Sequence, residues 1–130
     1  MRHLDTNTVS ALLNAMRGAE MAFTRHYPRV ALSAIALAEL RFGIANSAKA
    51  NENTRRLEDL LRFLGVVIFD AQCAVTYGLL RKALRDKGRS VPDADLFIAA
   101  TAMTHDAVLV THNTRDFDNI EGLQLEDWLA

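Results

Sequence analysis

The chain has 130 residues, of which 50% are hydrophobic and 24% are charged, and its formal net charge at pH 7 is -1. This composition excludes an intrinsically disordered protein, and a single cysteine, Cys73, excludes a disulfide-stabilised scaffold. No apolar run approaches the ~20 residues that a membrane-spanning helix needs. We therefore expect one globular domain over residues 1–130, in a reducing compartment such as the cytoplasm, with no membrane association.

Charge is distributed unevenly along the chain. The segment from Arg115 to Ala130 has one basic and five acidic residues, so the preceding part carries a surplus of positive charge. Within that part, one basic cluster is opposed only by Asp86; it comprises Arg81, Lys82, Arg85, Lys87 and Arg89. Such a cluster permits binding to a polyanion, although most clusters of this kind are solvated helix faces.

Short apolar runs and amphipathic segments alternate along the first half of the chain. A short strand at 2–4 leads into a helix that runs through Met16 and ends at Gly18, and a second helix covers 20–26. Val30–Leu32 is typical of a buried strand, and Ser33 is a suitable N-cap for a helix through Phe42. A further helix over 51–64 is expected to stop at Gly65.

The second half continues the alternation. The β-branched and aromatic run at 66–69 is the clearest strand, and Asp70 is expected to cap a helix that ends near Lys87. A helix over 93–105, a strand over 108–110 and a short edge strand at 123–125 follow. This order predicts an α/β fold, with three layers (α/β/α) around a central, mainly parallel sheet of four to five strands. Ligands of such sheets bind beyond the carboxyl ends of the strands.

Three acidic residues interrupt the apolar pattern. Asp5 directly follows the first strand, where a helix N-cap is its commonest use. Glu39 shares a helical face with apolar residues, so we expect its carboxylate to point at an apolar surface, paired with a cation or with an arginine. Asp95 lies in the opening turn of a helix whose later positions are apolar, and Asp93 or Val91-Pro92 is available as the cap instead.

These acids and a polar loop, residues 111–116, come from four separate segments, each near the carboxyl end of a predicted strand. Clustered carboxylates remain ionised only when a cation neutralises them, and oxygen ligands favour Mg²⁺ or Mn²⁺ over zinc. Such a site suits hydrolysis of phosphodiester bonds. The sequence has no histidine spacing typical of zinc, no G-x-S-x-G motif and no phosphate-binding glycine loop, and Cys73 fits a core position.

Four segments carry a resemblance to the PIN-domain ribonucleases. They are Leu4-Asp5-Thr6-Asn7, Ala38-Glu39-Leu40-Arg41-Phe42-Gly43, Asp95-Leu96-Phe97-Ile98-Ala99-Ala100 and Val110-Thr111-His112-Asn113. The tail from Phe117 to Trp128 is similar to that of the VapC toxins of bacterial type II toxin–antitoxin pairs. The order and spacing agree over essentially the whole chain.

The resemblance implies a metal-dependent endoribonuclease in which Asp5, Glu39 and Asp95 hold Mg²⁺ or Mn²⁺. The fourth acid of many PIN domains falls on Asn113, which carries no charge, and Asp116 is the candidate to compensate. Supporting roles are expected for two further residues: Thr111 as a hydrogen-bonding partner of a carboxylate or water, and Asn7 as a residue that orients Asp5.

The resemblance also implies partners. These are a second copy of the chain in a homodimer, a VapB-type antitoxin that places an arginine or a bulky side chain at the acidic pocket, and a structured RNA cut in a tRNA or rRNA loop. Candidate phosphate contacts are Arg41, Arg89, His112 and Arg115. Two other readings stay open: a catalytically weak module that binds antitoxin or RNA, and a phosphotransfer domain that would be phosphorylated on Asp5.

Overall fold

The computed structural model describes residues 1–130, with a five-stranded sheet at its centre. The strands are β1 (Arg2–Leu4), β2 (Val30–Ser33), β3 (Gly65–Val67), β4 (Val108–Val110) and β5 (Leu125–Glu126). Their spatial order is β3-β2-β1-β4-β5, and every neighbouring pair is parallel. The predicted parallel sheet is confirmed, with the larger of the two expected strand numbers.

Helices connect the strands, as parallel pairing requires. They are α1 (Thr6–Leu13), α2 (Arg17–His26), α3 (Ala34–Ala45), α4 (Ala50–Leu61), α5 (Ala71–Asp86) and α6 (Asp93–Thr104), with a 3-10 helix at Thr114–Phe117. Every residue of β2 is buried, so helices cover both faces of the sheet and the three-layer arrangement is confirmed. None of these helices has the length and apolar character to cross a membrane.

Three helices begin at the predicted caps. In each case a side-chain oxygen of the cap accepts a hydrogen bond from a backbone N–H three residues later; the caps are Asp5, Ser33 and Asp70. These bonds satisfy N–H groups that the first helical turn leaves unpaired. Cys73, in the first turn of α5, is fully buried, as its expected core position requires.

The predicted end of the first helix is wrong. α1 stops at Leu13, Ala15 adopts a positive φ of 54°, and α2 starts at Arg17. Gly18 therefore lies inside α2 instead of ending α1. A Cβ at this position would come within 3.2 Å of the carbonyl oxygen of Trp128, so the glycine permits a close approach of the C-terminal segment.

Both edge strands differ from their predicted positions. The strand expected over 66–69 occupies Gly65–Val67, and its residue Val66 is 44% exposed because β3 is an edge strand. Gly65 thus starts a strand; it does not stop the preceding helix, which ends at Leu61. The last strand is at the expected edge, but it covers Leu125–Glu126 and not 123–125.

The register of the central strands determines what lies at their carboxyl ends. Leu4 of β1 pairs with Leu32 of β2 on one side and with Val110 of β4 on the other. All three side chains are fully buried in the core. The residues that follow them therefore emerge together at one edge of the sheet, beside the N-termini of α1 and α3.

Candidate active site

Asp5 stands at the centre of this edge. Its backbone N–H donates to the carbonyl oxygen of Val110, 3.0 Å away, which ties it to the end of β4. Its Oδ1 accepts a hydrogen bond of 2.9 Å from the N–H of Thr8 and so caps α1. The side-chain Oδ2 has no hydrogen-bonding partner in the chain. The N-cap interpretation and a site role are thus compatible, because each uses a different oxygen.

Glu39 lies on the exposed side of α3, so the expectation of a carboxylate buried against an apolar surface is wrong. Its predicted helical neighbours differ in burial: Ala36 is fully buried, whereas Phe42 is 72% exposed. The expected alternative, a salt bridge to an arginine, is also absent, since Arg41 pairs with Glu58 instead. Glu39 Oε1 accepts a hydrogen bond of 2.5 Å from the hydroxyl of Thr6, the residue after Asp5.

Asp95 lies in the first turn of α6 and is half-buried. Burial raises the pKa of its carboxyl above the usual value, and the negative charges of Glu39, Asp5 and Asp116 raise this pKa further. The three acids singled out in the sequence therefore share a region of space, close enough for their charges to interact. Asp116 belongs to the same group.

The loop after β4 explains how Asp116 reaches that space. The buried hydroxyl of Thr111 accepts a hydrogen bond of 3.0 Å from the backbone N–H of Asn113. The side-chain amide of Asn113 in turn donates to a carboxylate oxygen of Asp116, which lies in the 3-10 helix. Asn113, which occupies the position expected for a fourth acid, therefore contacts an acid, Asp116. Thr111 holds the loop and contacts no carboxylate.

The remaining candidates occupy different places. Asn7 is exposed and makes no hydrogen bond to Asp5; Thr6, which the sequence reasoning missed, makes the contact with Glu39 instead. Arg89 donates to the backbone carbonyls of Asp118 and Arg115, so it braces the loop. The guanidinium of Arg115 is exposed and makes no ion pair within the chain.

His112 is held by Asp127, whose carboxylate oxygen lies 3.0 Å from the ring Nδ1. Both residues follow the carboxyl ends of the neighbouring strands β4 and β5. The ring is 63% exposed, and its Nε2 makes no hydrogen bond within the chain. Asp127 is a second residue that sequence reasoning missed, because its partner is distant in sequence.

The donor chemistry of the acidic group fits a hard divalent cation. Its ligating atoms are carboxylate oxygens, and their mutual repulsion is what a bound cation would relieve. No group of three or more His, Cys, Asp or Glu side chains lies close enough together in the structure to hold a metal ion. The carboxylates thus share one edge and one electrostatic field, and would need side-chain rotation to surround an ion.

Comparison with known proteins identifies the family of the chain. The sequence profile of the PIN domain matches residues 3–123. Ribonuclease VapC2 of Rickettsia felis is 40% identical over 99 residues, covering 76% of this chain and 74% of the relative. The tRNA(fMet)-specific endonuclease VapC of Salmonella typhimurium is 34% identical over 126 residues, covering 96% of each chain.

Solved structures agree with the sequence comparison. The crystal structure of VapBC2 from Rickettsia felis bound to a DNA fragment from its promoter contains a chain that superposes with a TM-score of 0.92 at 34% identity, covering 98% of both chains. VapBC-1 from nontypeable Haemophilus influenzae gives a TM-score of 0.87 at 30% identity, covering 99% of this chain and 98% of that one. The chain belongs to the PIN-domain family, in which its relatives are VapC ribonucleases. Nucleases of this family generally depend on a divalent metal ion.

Proposed function

We propose that this protein is the toxin of a type II toxin–antitoxin pair, an endoribonuclease that hydrolyses a phosphodiester bond in a structured RNA. One observation carries the proposal: Asp95 is half-buried and faces the charges of Glu39, Asp5 and Asp116. A structural role would pair such acids with arginine or lysine. An array of unpaired carboxylates is instead typical of a site that recruits a cation.

Asp5, Glu39 and Asp95 would hold the ion, which we propose to be Mg²⁺ or Mn²⁺. When bound, the ion supplies Lewis-acid stabilisation of the charge that develops on the phosphate and leaving oxygens. Asp5 is suited to this role because its backbone and Oδ1 are fixed by two elements, β4 and α1. Thr6 restrains the longer Glu39 side chain from the opposite side.

Asp116 completes the acidic group in our proposal. Its carboxylate is fixed by the amide of Asn113, so it accepts a hydrogen bond without losing its charge. Asn113 thus acts as a positioning residue, and Asp116 supplies the fourth negative charge. Through Asp116 the site keeps four acids despite the amide at position 113.

The substrate that we propose is a single-stranded loop of tRNA or rRNA. A relative over nearly the whole chain is named as a tRNA(fMet)-specific endonuclease. Splayed loop bases expose the phosphates, which the exposed side chains of His112 and Arg115 could contact at the rim. An RNA substrate would place the activity in the cytoplasm.

The protein partners that we propose are a VapB-type antitoxin and a second copy of this chain. Structural relatives were solved as VapBC complexes. An antitoxin arginine inserted among the carboxylates would form charge-assisted hydrogen bonds with them and block the cation. Inhibition and metal binding would then compete for the same oxygens.

The test is Asp5→Asn, with Asp70→Asn as the matched control. Both residues cap helices, and asparagine caps as well as aspartate, so both variants should fold. We expect Asp5→Asn to abolish cleavage of RNA in Mg²⁺, and EDTA to abolish it in the wild type. Equal rates for the two variants would refute the assignment of Asp5.

The same experiment separates the ribonuclease from a catalytically weak binding module. That second function draws support from Asn113, which replaces a charge that the site would otherwise have. A binding module would retain RNA or antitoxin without cleavage and would not respond to EDTA. Cleavage that depends on both the divalent ion and Asp5 excludes it.

A further inference from the structure

A cleft of about 340 Å³ begins at the hydrogen bond between Thr6 and Glu39 and extends between α1, α3 and α4. Its volume is within the range of about 300–1,000 Å³ that is typical of small-ligand sites. Both apolar and polar side chains line it; they include Leu13, Leu40, Ile44, Ser10, Asn53 and Arg56. The acidic group and the cleft are therefore continuous at Glu39.

Asn53 is held in one orientation inside this cleft. The hydroxyl of Ser47 donates to the carbonyl oxygen of Ile44, 2.7 Å away, so it offers only lone pairs to its other neighbour. The group of Asn53 that faces Ser47 Oγ, at 3.2 Å, must therefore be the NH₂. The carbonyl oxygen of Asn53 is left as an acceptor without a partner in the chain.

Arg56 adds a positive charge at the same cleft. It is exposed and forms no ion pair within the chain, in contrast to Arg41, which is paired with Glu58 on the neighbouring surface. Arg56 and Glu39 thus give the cleft a cationic and an anionic side. A ligand with an apolar ring, a hydrogen-bond donor and a neighbouring phosphate would complement both sides.

We infer that this cleft binds the base of a nucleotide next to the bond that is cut, and so determines which RNA sequence is cleaved. The Oδ1 atom of Asn53 would accept a hydrogen bond from an N–H on the base edge. Leu13, Leu40 and Ile44 would contact the ring, and Arg56 would donate to a phosphate or to a base acceptor. This inference rests on the proposed ribonuclease function and adds a specificity site to it.

The experiment uses hairpin RNAs with a randomised loop and sequences the 5′ ends of the cleavage products. Asn53→Ala removes the acceptor, and Asn51→Ala is its control on the exposed side of the same helix. One hydrogen bond to a base is worth about tenfold in discrimination. We therefore expect Asn53→Ala to reduce the ratio of favoured to disfavoured loops about tenfold, and Asn51→Ala to leave the ratio unchanged.

A second variant fills the cleft instead of removing a contact. A Cβ at Gly43 would meet nothing within 4 Å, and the same is true of Gly78 on α5. Gly43→Leu should therefore fold, block entry of the base and lower cleavage of the favoured loops at least about tenfold. Gly78→Leu, which lies outside the cleft, should cleave like the wild type.

The outcomes are distinguishable. A wild type that cuts without preference at the flanking positions, or an unchanged preference in both Asn53→Ala and Gly43→Leu, overturns the specificity site and leaves the ribonuclease proposal intact. Absence of cleavage by the wild type in Mg²⁺ and in Mn²⁺ overturns the proposed function, and this inference with it. Loss of preference with retained cleavage of disfavoured loops in Asn53→Ala supports both.

Discussion

Arg2 on β1 and Glu126 on β5 are joined across the intervening strand β4, with the Nε of Arg2 lying 2.9 Å from one carboxylate oxygen of Glu126 and 3.1 Å from the other. The indole N–H of Trp128 donates to the same carboxylate at 2.7 Å. These hydrogen bonds lower the pKa of Glu126, with Arg2 the principal cause. The contact fixes the C-terminal segment to the first strand of the sheet.

Arg2→Met should therefore destabilise the protein. Both side chains are partly buried, at 26% and 31% exposure, and the substitution removes the arginine charge from Glu126, which keeps only the Trp128 hydrogen bond and the nearby His26 ring. We expect the free energy of unfolding in urea to fall by about 1–3 kcal/mol. The control, Lys82→Met, removes an exposed pair with Asp86 and should cause a much smaller change. Equal losses would show that the Arg2 contact is no stronger than a surface pair.

Thr6→Val should impair cleavage while leaving the fold intact. The hydroxyl of Thr6 is the hydrogen-bond donor that restrains Glu39, and without it the exposed glutamate samples many rotamers. We expect the concentration of Mn²⁺ needed for half-maximal cleavage to rise and the rate to fall about tenfold. Thr24→Val, which removes a bond to the Glu20 carbonyl on α2, is the control. Identical metal dependence in the two variants would argue against a positioning role for Thr6.

At a pH near or below the raised pKa of Asp95, binding of the cation should release a proton from this carboxyl. Burial and the charges of Glu39, Asp5 and Asp116 raise the pKa of this carboxyl, and a metal ion binds only the carboxylate. Affinity for Mn²⁺ should therefore decrease as the pH falls through the raised pKa. Calorimetric titration in two buffers of different ionisation enthalpy measures the released proton. Asp95→Asn should abolish this buffer dependence; its persistence would assign the proton to another group.

Without the cation, the raised pKa of Asp95 makes the protein less stable as the pH rises. The folded state binds the Asp95 proton more tightly than the unfolded chain does, so its contribution favours folding at low pH and is lost as the pH rises through the raised pKa. Added Mn²⁺ should offset that loss and raise Tm in the wild type. A wild-type Tm that does not change with Mn²⁺ at neutral pH would contradict the proposed ligands.

His3 should make stability depend on pH in the opposite direction. Burial, followed by the charge of His105, lowers the pKa of His3 from 6.5 to about 4. The imidazole is 1% exposed and its Nδ1 has no hydrogen-bonding partner. The unfolded chain therefore takes up the proton first, and stability decreases as the pH falls from 6.5 towards 4.

This effect amounts to about 3 kcal/mol, because each unit of pKa difference corresponds to about 1.4 kcal/mol. His3→Leu should remove this part of the slope when urea unfolding is measured across the interval. Carboxylates contribute their own slope, so the difference between wild type and variant is the relevant quantity. Parallel curves for the two proteins would refute the assignment to His3.

Asn113→Ala tests whether the amide works through Asp116. Asn113 donates to the Asp116 carboxylate, so removal of either group should reduce cleavage. If Asn113 only positions Asp116, the double variant with Asp116→Asn should be no slower than Asp116→Asn alone. If the losses of cleavage rate in the two single variants multiply in the double variant, Asn113 has a role that does not depend on Asp116.

Features encoded by near neighbours could be predicted from the sequence. The caps at Asp5, Ser33 and Asp70 depend on a bond to a residue three positions away, and all three were predicted correctly. The end of α1 was not predicted correctly, because Gly18 was interpreted as the residue that ends the helix. Its actual partner is the carbonyl of Trp128, at the other end of the chain.

In the candidate site, too, features that depend on near neighbours could be predicted and features that depend on distant contacts could not. Helical spacing predicted which residues share a face with Glu39, but not that Glu39 itself is exposed, since exposure depends on how α1, α3 and α4 pack. The acids that we propose for the site can be singled out in the sequence, whereas the contact of Thr6 with Glu39 cannot, because it links residues 33 positions apart. Strand order and register, which bring Asp5 beside the loop after β4, also depend on contacts between distant segments.

Asp5 caps α1 and is also a proposed metal ligand, and this double role has an evolutionary consequence. Folding requires only an oxygen at this position to cap α1, while the proposed chemistry requires a charge. Aspartate and asparagine codons differ by a single base, so one point mutation would remove the proposed activity from a protein that still folds. In a cell that loses its antitoxin, such folded but harmless descendants should be among the first survivors recovered.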